Sequence, residues 1–205
     1  MIKIYDTDLS GNAHKCRMLM SMLDVPFERV EVSMAAGEHR APEFLKINPF
    51  GQLPALIDGD VTLRDSGAIL VYLATKYGDE TWLPRDPEGL AEVMSWLSFA
   101  ANEINNGVTV ARFAVRFGGG AGIDLETAQK RGGRSLKLLD AHLAGRDWLA
   151  LDRPTIADIA CYPYVGLAPE GEVRLDGRDN VIAWLARVEA LPGWTAMPGL
   201  PYKAA

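Results

Sequence analysis

Cysteine is scarce: Cys16 and Cys161 are the two in 205 residues, and they form no C-x-x-C pair. That excludes a disulfide framework and a dithiol redox motif. Histidine numbers three, and no spacing in the chain suits a metal centre. Long apolar runs are missing as well, since no charge-free stretch reaches the roughly 20 residues needed to cross a bilayer. Met1-Ile2-Lys3 leads into a strand-like run rather than an apolar signal segment. Nor is there a basic excess. Against 27 Asp+Glu stand 21 Lys+Arg, a net charge of −6, and neither side of Tyr77 is basic, which argues against nucleic acid as a partner. What remains is 48% hydrophobic and 23% charged, values that exclude disorder. The length fits one large domain or two small ones with a self-sufficient core. The expectation is a protein of a reducing cytoplasm, with neither membrane nor nucleic acid as partner.

The pattern changes near residue 80. Ile2 and Ile4 alternate with Lys3 and Tyr5, a brief strand signal. Ser10-Gly11-Asn12 then precede a helical face of Ala13, Cys16, Arg17, Met20 and Leu23. Phe27, Val30 and Val32 suggest a second strand, and Glu43 to Ile47 a short helix stopped by Asn48-Pro49. Pro54 to Ile57 and Val61 to Leu63, joined at Asp58-Gly59, read as a hairpin. Ser66 to Tyr77 reads as an apolar helix. The predicted order over residues 1–78 is βαβαββα. Gly78 to Pro87 is polar, with two prolines and one apolar anchor, Trp82-Leu83, and reads as a linker. Over residues 87–205 every pattern is helical: a long helix from Val93 toward Phe117, broken by Gly118-Gly119-Gly120-Ala121-Gly122, then Leu125 to Leu143 and Val181 to Leu191. A further helix begins at Thr155, with Asp158 three positions on in the manner of a capping box.

A βαβαββα unit followed by an all-helical part, without metal spacing or C-x-x-C, resembles the glutathione transferases over nearly the whole chain. Four segments carry the resemblance: Ser10-Gly11-Asn12-Ala13-His14-Lys15; Gly37-Glu38-His39 leading to Glu43 through Pro49; Gly51-Gln52-Leu53-Pro54; and Asp65-Ser66. It implies a thioredoxin-like first domain that binds glutathione as co-substrate, with no other cofactor and no metal. It further implies a helical second domain that contributes the pocket for a small hydrophobic electrophile, and a homodimer. In such proteins the residue before the proline of the third segment offers its backbone to the tripeptide's cysteine and the proline is cis, which matches Leu53-Pro54. Free N–H groups at the helix start beside Asp65-Ser66 suit the γ-glutamyl carboxylate, and Asp65 suits the neighbouring ammonium. Either residue also reads as a plain N-cap. His39 and Gln52 match positions that reach the glycyl carboxylate, and His39 reads equally as a solvated loop residue.

For catalysis the candidate is Ser10, with Asn12 as a second donor. A cysteine thiol with pKa near 8.5 is only a few per cent thiolate at neutral pH. Lowering that pKa by about two units takes roughly 2.7 kcal/mol. A hydroxyl donating to the sulfur anion supplies about 1.5–3 kcal/mol, and the helix start adds about 0.3–1. Ser10 also reads as a simple helix cap. Gly11 stands where related bacterial loops carry proline, which leaves the division of labour between Ser10 and Asn12 open. Tyr5 lies too early to take the role, and Cys16, on the packed face of the helix, reads as an inert core thiol. The electrophile pocket falls by resemblance on Asn105, Val108, Arg112, Phe113 and Arg116, although Val108 and Phe113 also read as core and the arginines as solvated. Two further activities stay open: a glutathione-dependent disulfide reductase or peroxidase on the same scaffold, and a non-catalytic glutathione-binding protein.

Overall fold

The computed structural model describes residues 1–119 and 124–203. Its first half runs β1 (Ile2–Asp6), α1 (Gly11–Met22), β2 (Phe27–Glu31), α2 (Pro42–Ile47), β3 (Ala55–Asp58), β4 (Val61–Arg64) and α3 (Ser66–Tyr77). The order is the predicted one. β1 and β2 are parallel, joined through α1, while β3 pairs antiparallel with both β1 and β4, giving the sheet order β2-β1-β3-β4. Asp58 pairs with Val61 across the hairpin, so its two-residue loop is Gly59-Asp60, with Gly59 at φ 59°, one residue beyond the expected turn.

The two-residue period of the strands sorts the side chains. Ile2, Ile4 and Leu56 join the large core that also takes Leu19, Leu70 and Leu73 from α1 and α3. The intervening Tyr5 and Ala55 fall in a smaller cluster with Val32, Phe44, Ile47 and Leu53. Tyr5 is thus a packing residue, its ring 6.0 Å from that of Phe44.

The helical half comprises α4 (Pro87–Phe99), α5 (Val110–Phe117), α6 (Leu125–His142), α7 (Ile156–Gly166) and α8 (Asp179–Glu189). The predicted long helix is present as α4 and α5 joined by a π-helical stretch, Ala100–Thr109, which the residue pattern does not announce. The widened turns lie where Gly107 and Gly132 let two backbones touch: a Cβ on Gly107 would sit 2.5 Å from the Gly132 nitrogen. Gly118, at φ 73°, ends α5. The Gly120-Ala121-Gly122 part of the expected breaker lies outside the described residues.

Buried along its whole length, α7 packs against α1, α3, α4 and α8. Its start is locked by the expected capping box: the Thr155 hydroxyl accepts from the Ala157 N–H at 3.2 Å and Asp158 from the Thr155 N–H at 2.9 Å. Asp158 also accepts from the Leu149 N–H and the Trp184 indole. The linker is fastened to the same point, since the Ile156 N–H donates to the Trp82 carbonyl at 3.0 Å. Among the described residues no helix is long and apolar enough to cross a membrane. This frame holds the start of α1 over the last turn of α7.

Candidate functional site

Ser10 ends the β1–α1 loop in extended conformation, and its Oγ accepts from the Ala13 N–H at 3.1 Å. The hydroxyl proton has no acceptor among the described residues. Capping and donating are therefore compatible, because the cap uses a lone pair and leaves the O–H free. No acidic residue stands in the first turn of α1 to offset the positive end of its dipole.

Asn12 lies half-buried in that turn. Its Oδ1 accepts from Lys15 Nζ at 2.8 Å and from Ser66 Oγ at 3.3 Å. The second bond joins the start of α1 to the start of α3. At the latter, Asp65 occupies φ 69° and ψ 122°, a positive-φ conformation unusual for a side-chain-bearing residue, and its Oδ1 accepts from the Ala68 N–H at 3.0 Å. The second carboxylate oxygen takes no donor, and the N–H groups of Ser66 and Gly67, at the open end of α3, take no acceptor among the described residues.

The Leu53–Pro54 peptide bond is cis. Leu53 offers its N–H and C=O without a protein partner among the described residues, in the manner of a strand edge. Asn48, buried to 1% exposure, braces the loop: its Nδ2 donates to the Gln52 carbonyl at 2.7 Å and its Oδ1 accepts from the Phe50 N–H at 3.1 Å. Gly51, at φ 61°, lies against the next segment, since a Cβ there would sit 3.0 Å from the His39 carbonyl oxygen. His39 and Gln52 therefore belong to adjoining turns. Gln52 is exposed, while His39 is half-buried and accepts at Nε2 from Arg40.

Beneath α1, the ring of Tyr164 in α7 presses on Gly11, where a Cβ would come within 2.9 Å of it. This accounts for glycine at that position. Burial raises the phenol pKa, while the Arg112 charge and the N–H groups of Asn12 and Gly11 pull it the other way. The thiol of Cys16 is fully buried and pushed up to about 12 by that burial, too high to act as a nucleophile at neutral pH. Burial likewise raises the Cys161 thiol.

Of the five residues expected to line a pocket, Val108 is fully buried against α6, because the close approach at Gly132 draws it into the helical core. Arg112 is 3% exposed, pairs with Glu170 at 2.7 Å and donates to the Leu9 carbonyl at 3.0 Å. It ties α5 to the loop that carries Ser10. Arg116 pairs with the other Glu170 oxygen at 3.1 Å. Asn105 is half-buried. Phe113 is 48% exposed and stacks on Phe117 at 5.7 Å, with the Arg112 guanidinium 5.6 Å from the Phe117 ring. The sequence reading passed over Asn48, Lys15, Tyr164, Glu170 and Phe117. Asn48 had a signal, as a polar residue inside a resembling segment, whereas Tyr164 and Glu170 lie some 150 residues from Ser10 and nothing local announces them.

Residues 2–75 match the family model described as the glutathione S-transferase N-terminal domain, and residues 121–192 the one described as its C-terminal domain. Glutathione S-transferase 3 of Zea mays is 34% identical over 94% of this chain and 91% of its own. A crystal structure of a glutathione S-transferase from Xanthobacter autotrophicus superposes with a TM-score of 0.89 at 34% identity, covering 98% of both chains. A glutathione transferase from Pseudomonas putida, solved with one glutathione disulfide bound per subunit, superposes at 0.84 with 28% identity over 94% of this chain and 88% of that one.

Proposed function

The chain belongs to the glutathione S-transferase family, and on that premise we propose that it activates the glutathione thiol through Ser10 and Asn12 for attack on hydrophobic electrophiles. Residues 1–78 would bind the tripeptide and residues 87–205 would contribute the electrophile pocket. The observation that carries this reading is the set of unclaimed groups at one end of the first domain: the Ser10 hydroxyl proton, the Asn12 amide donors, the Leu53 backbone and the open start of α3. They correspond in kind to the sulfur, backbone and γ-glutamyl carboxylate of glutathione.

The tripeptide's cysteine pairs with the Leu53 backbone beside cis Pro54. Its γ-glutamyl carboxylate takes the Ser66 N–H and hydroxyl, its ammonium takes Asp65, and its glycyl carboxylate lies toward His39 and Gln52. The sulfur then faces the start of α1. Ser10 O–H donates to it and keeps its own proton, so no general base is required and the thiol proton leaves to solvent. One charge-assisted bond of about 1.5–3 kcal/mol covers most of the roughly 2.7 kcal/mol that a two-unit pKa drop requires. The thiolate attacks the electrophilic carbon, forming the C–S bond as the leaving group departs with its electron pair. The electrophile lies against α5, where Phe113 stays open and Arg116, exposed but paired with Glu170, borders it, while Arg112 is engaged in pairing; Asn105 and the packed Val108 lie on the preceding π-helical stretch.

Conjugation of an activated aryl halide tests the activity, and Ser10→Ala tests the mechanism. The variant is expected to raise the bound thiol's pKa by more than about one unit with glutathione affinity held within a few-fold. An ultraviolet thiolate titration identical in both proteins removes Ser10 from the role. The disulfide-bound Pseudomonas neighbour favours one second reading, a glutathione-dependent disulfide reductase, and a glutathione mixed disulfide assayed beside the aryl halide separates the two. A homodimer in a reducing cytoplasm completes the proposal.

A further inference from the structure

Lys15 is 5% exposed, an ammonium with three donors in a place that answers one of them. Its partner is Asn12 Oδ1 at 2.8 Å, and its Nζ lies 5.3 Å from the centroid of the Tyr164 ring. The titratable groups around it are the Cys16 thiol on its own helix, Cys161 and Tyr164 on α7, and Asp65 at the start of α3. None of the carboxylates among the described residues makes an ion pair with it. Burial lowers its pKa to about 8. A buried, unpaired ammonium is costly, and packing alone gives no reason for it.

The reason lies in what an ammonium cannot do. It has no lone pair to offer, so the amide end turned toward it has to be oxygen. Ser66 Oγ presents a second donor to that same oxygen. The hydroxyl can meet either end of the amide, so it is the ammonium that fixes the Asn12 amide in one of its two orientations and turns Nδ2 away, where it has no acceptor among the described residues. When the γ-glutamyl carboxylate takes the Ser66 hydroxyl, Lys15 is left as the donor holding Asn12 in place.

We propose that Lys15 is a positioning residue for the reaction: it fixes the Asn12 amide oxygen inward so that the Asn12 N–H donates to the glutathione sulfur. This rests on the reading of Asn12 as a thiolate donor. The test is a double-mutant cycle read by ultraviolet titration of the bound thiolate in Lys15→Met, Asn12→Ala and their combination, with Ser10→Ala alongside. Lys15→Met and Asn12→Ala are each expected to raise the bound thiol's pKa by about one unit, a roughly ten-fold loss of thiolate at a given pH, with glutathione affinity within a few-fold. The double variant is expected to do no more than either single one, because both remove the same bond. Lys15→Arg, donor-only like lysine, is expected to stay near the parent. Lys15→Gln, whose amide can meet Asn12 with either end, is the second variant should methionine disturb packing, and it is expected to shift the titration in the same direction. Shifts that add in the double variant overturn the proposal, since Lys15 then acts through its own charge. A titration moved by Asn12→Ala but not by Lys15→Met also overturns it and leaves the two-donor mechanism standing. A titration unmoved by Asn12→Ala overturns the reading of Asn12 itself, and the proposal with it.

Discussion

Two polar clusters in this molecule begin at helix starts, and they are finished differently. At the start of α7, Asp158 accepts from the Leu149 N–H at 3.0 Å, the Trp184 indole at 2.8 Å and the Thr155 N–H at 2.9 Å, and the whole group is buried. Every donor there has its acceptor. At the starts of α1 and α3, the Ser10 hydroxyl proton, the Asn12 amide N–H groups and the first N–H groups of α3 are left open, as is the Leu53 backbone just before β3. A helix start that folds the protein closes its hydrogen bonds internally, because a buried orphan costs stability. A helix start that binds keeps donors in reserve, at an edge where water satisfies them until the ligand arrives.

Breaking the closed cluster should cost most. Asp158→Ala orphans the Trp184 indole and two backbone N–H groups in the core, and about 3–5 kcal/mol of stability is expected to go, read as a lower midpoint in urea. Because burial pushes the Asp158 carboxyl up to about 6 while those N–H donors pull it back, Asp158→Asn retains part of the acceptor set and should fall between the parent and the alanine variant. An alanine variant as stable as the parent would erase the contrast between the clusters.

The open cluster should respond with the opposite sign at Lys15. Its pKa is about 8 in the fold against an ordinary 10.5. Below pH 8 both folded and unfolded chains carry the charge, and the burial penalty is present in full. Between pH 8 and 10.5 the folded lysine loses its proton first, so the parent gains stability as pH rises, and above 10.5 the penalty is gone. Lys15→Met is therefore expected to raise stability by about 2–3 kcal/mol at pH 7, with the gain shrinking across that window. A pH-independent difference in thermal midpoint would mean that the ammonium is not under strain there.

The closed cluster was legible in the sequence and the open one only in outline. Thr155 and Asp158 stand at the spacing of a capping box, so a local signal sufficed, and the strands and α1 to α3 followed from periodicity and turn residues close along the chain. Ser10, Asn12, Leu53-Pro54 and Asp65-Ser66 were visible as segments, through resemblance, and the placement of the first two and the last at adjoining helix starts needed the fold. What stayed hidden depends on distant contacts. Tyr164 fills the space under Gly11, Arg112 reaches the Leu9 carbonyl, and Val108 turns to α6 because two glycines let the backbones close. The π-helical stretch likewise answers to packing between helices, which a single helix's pattern does not record.

Asp65 belongs to both kinds of cluster, and a modest substitution separates its roles. Its Oδ1 caps α3 while its other oxygen is open, and asparagine has the same shape as aspartate, so the substitution adds no new steric demand at its φ of 69°. Asparagine caps as well as aspartate, so Asp65→Asn is expected to leave stability within about 0.5 kcal/mol. The charge proposed to face the γ-glutamyl ammonium is lost. At an exposed position such a pair contributes at most about 1 kcal/mol, or roughly a five-fold weaker affinity for glutathione. A glutathione analogue lacking the α-amino group isolates the contact: parent and variant should bind it equally. If the variant weakens both ligands alike, the carboxylate acts on the shape of the α3 start and not on the ammonium, and the open half of Asp65 is as structural as the closed one.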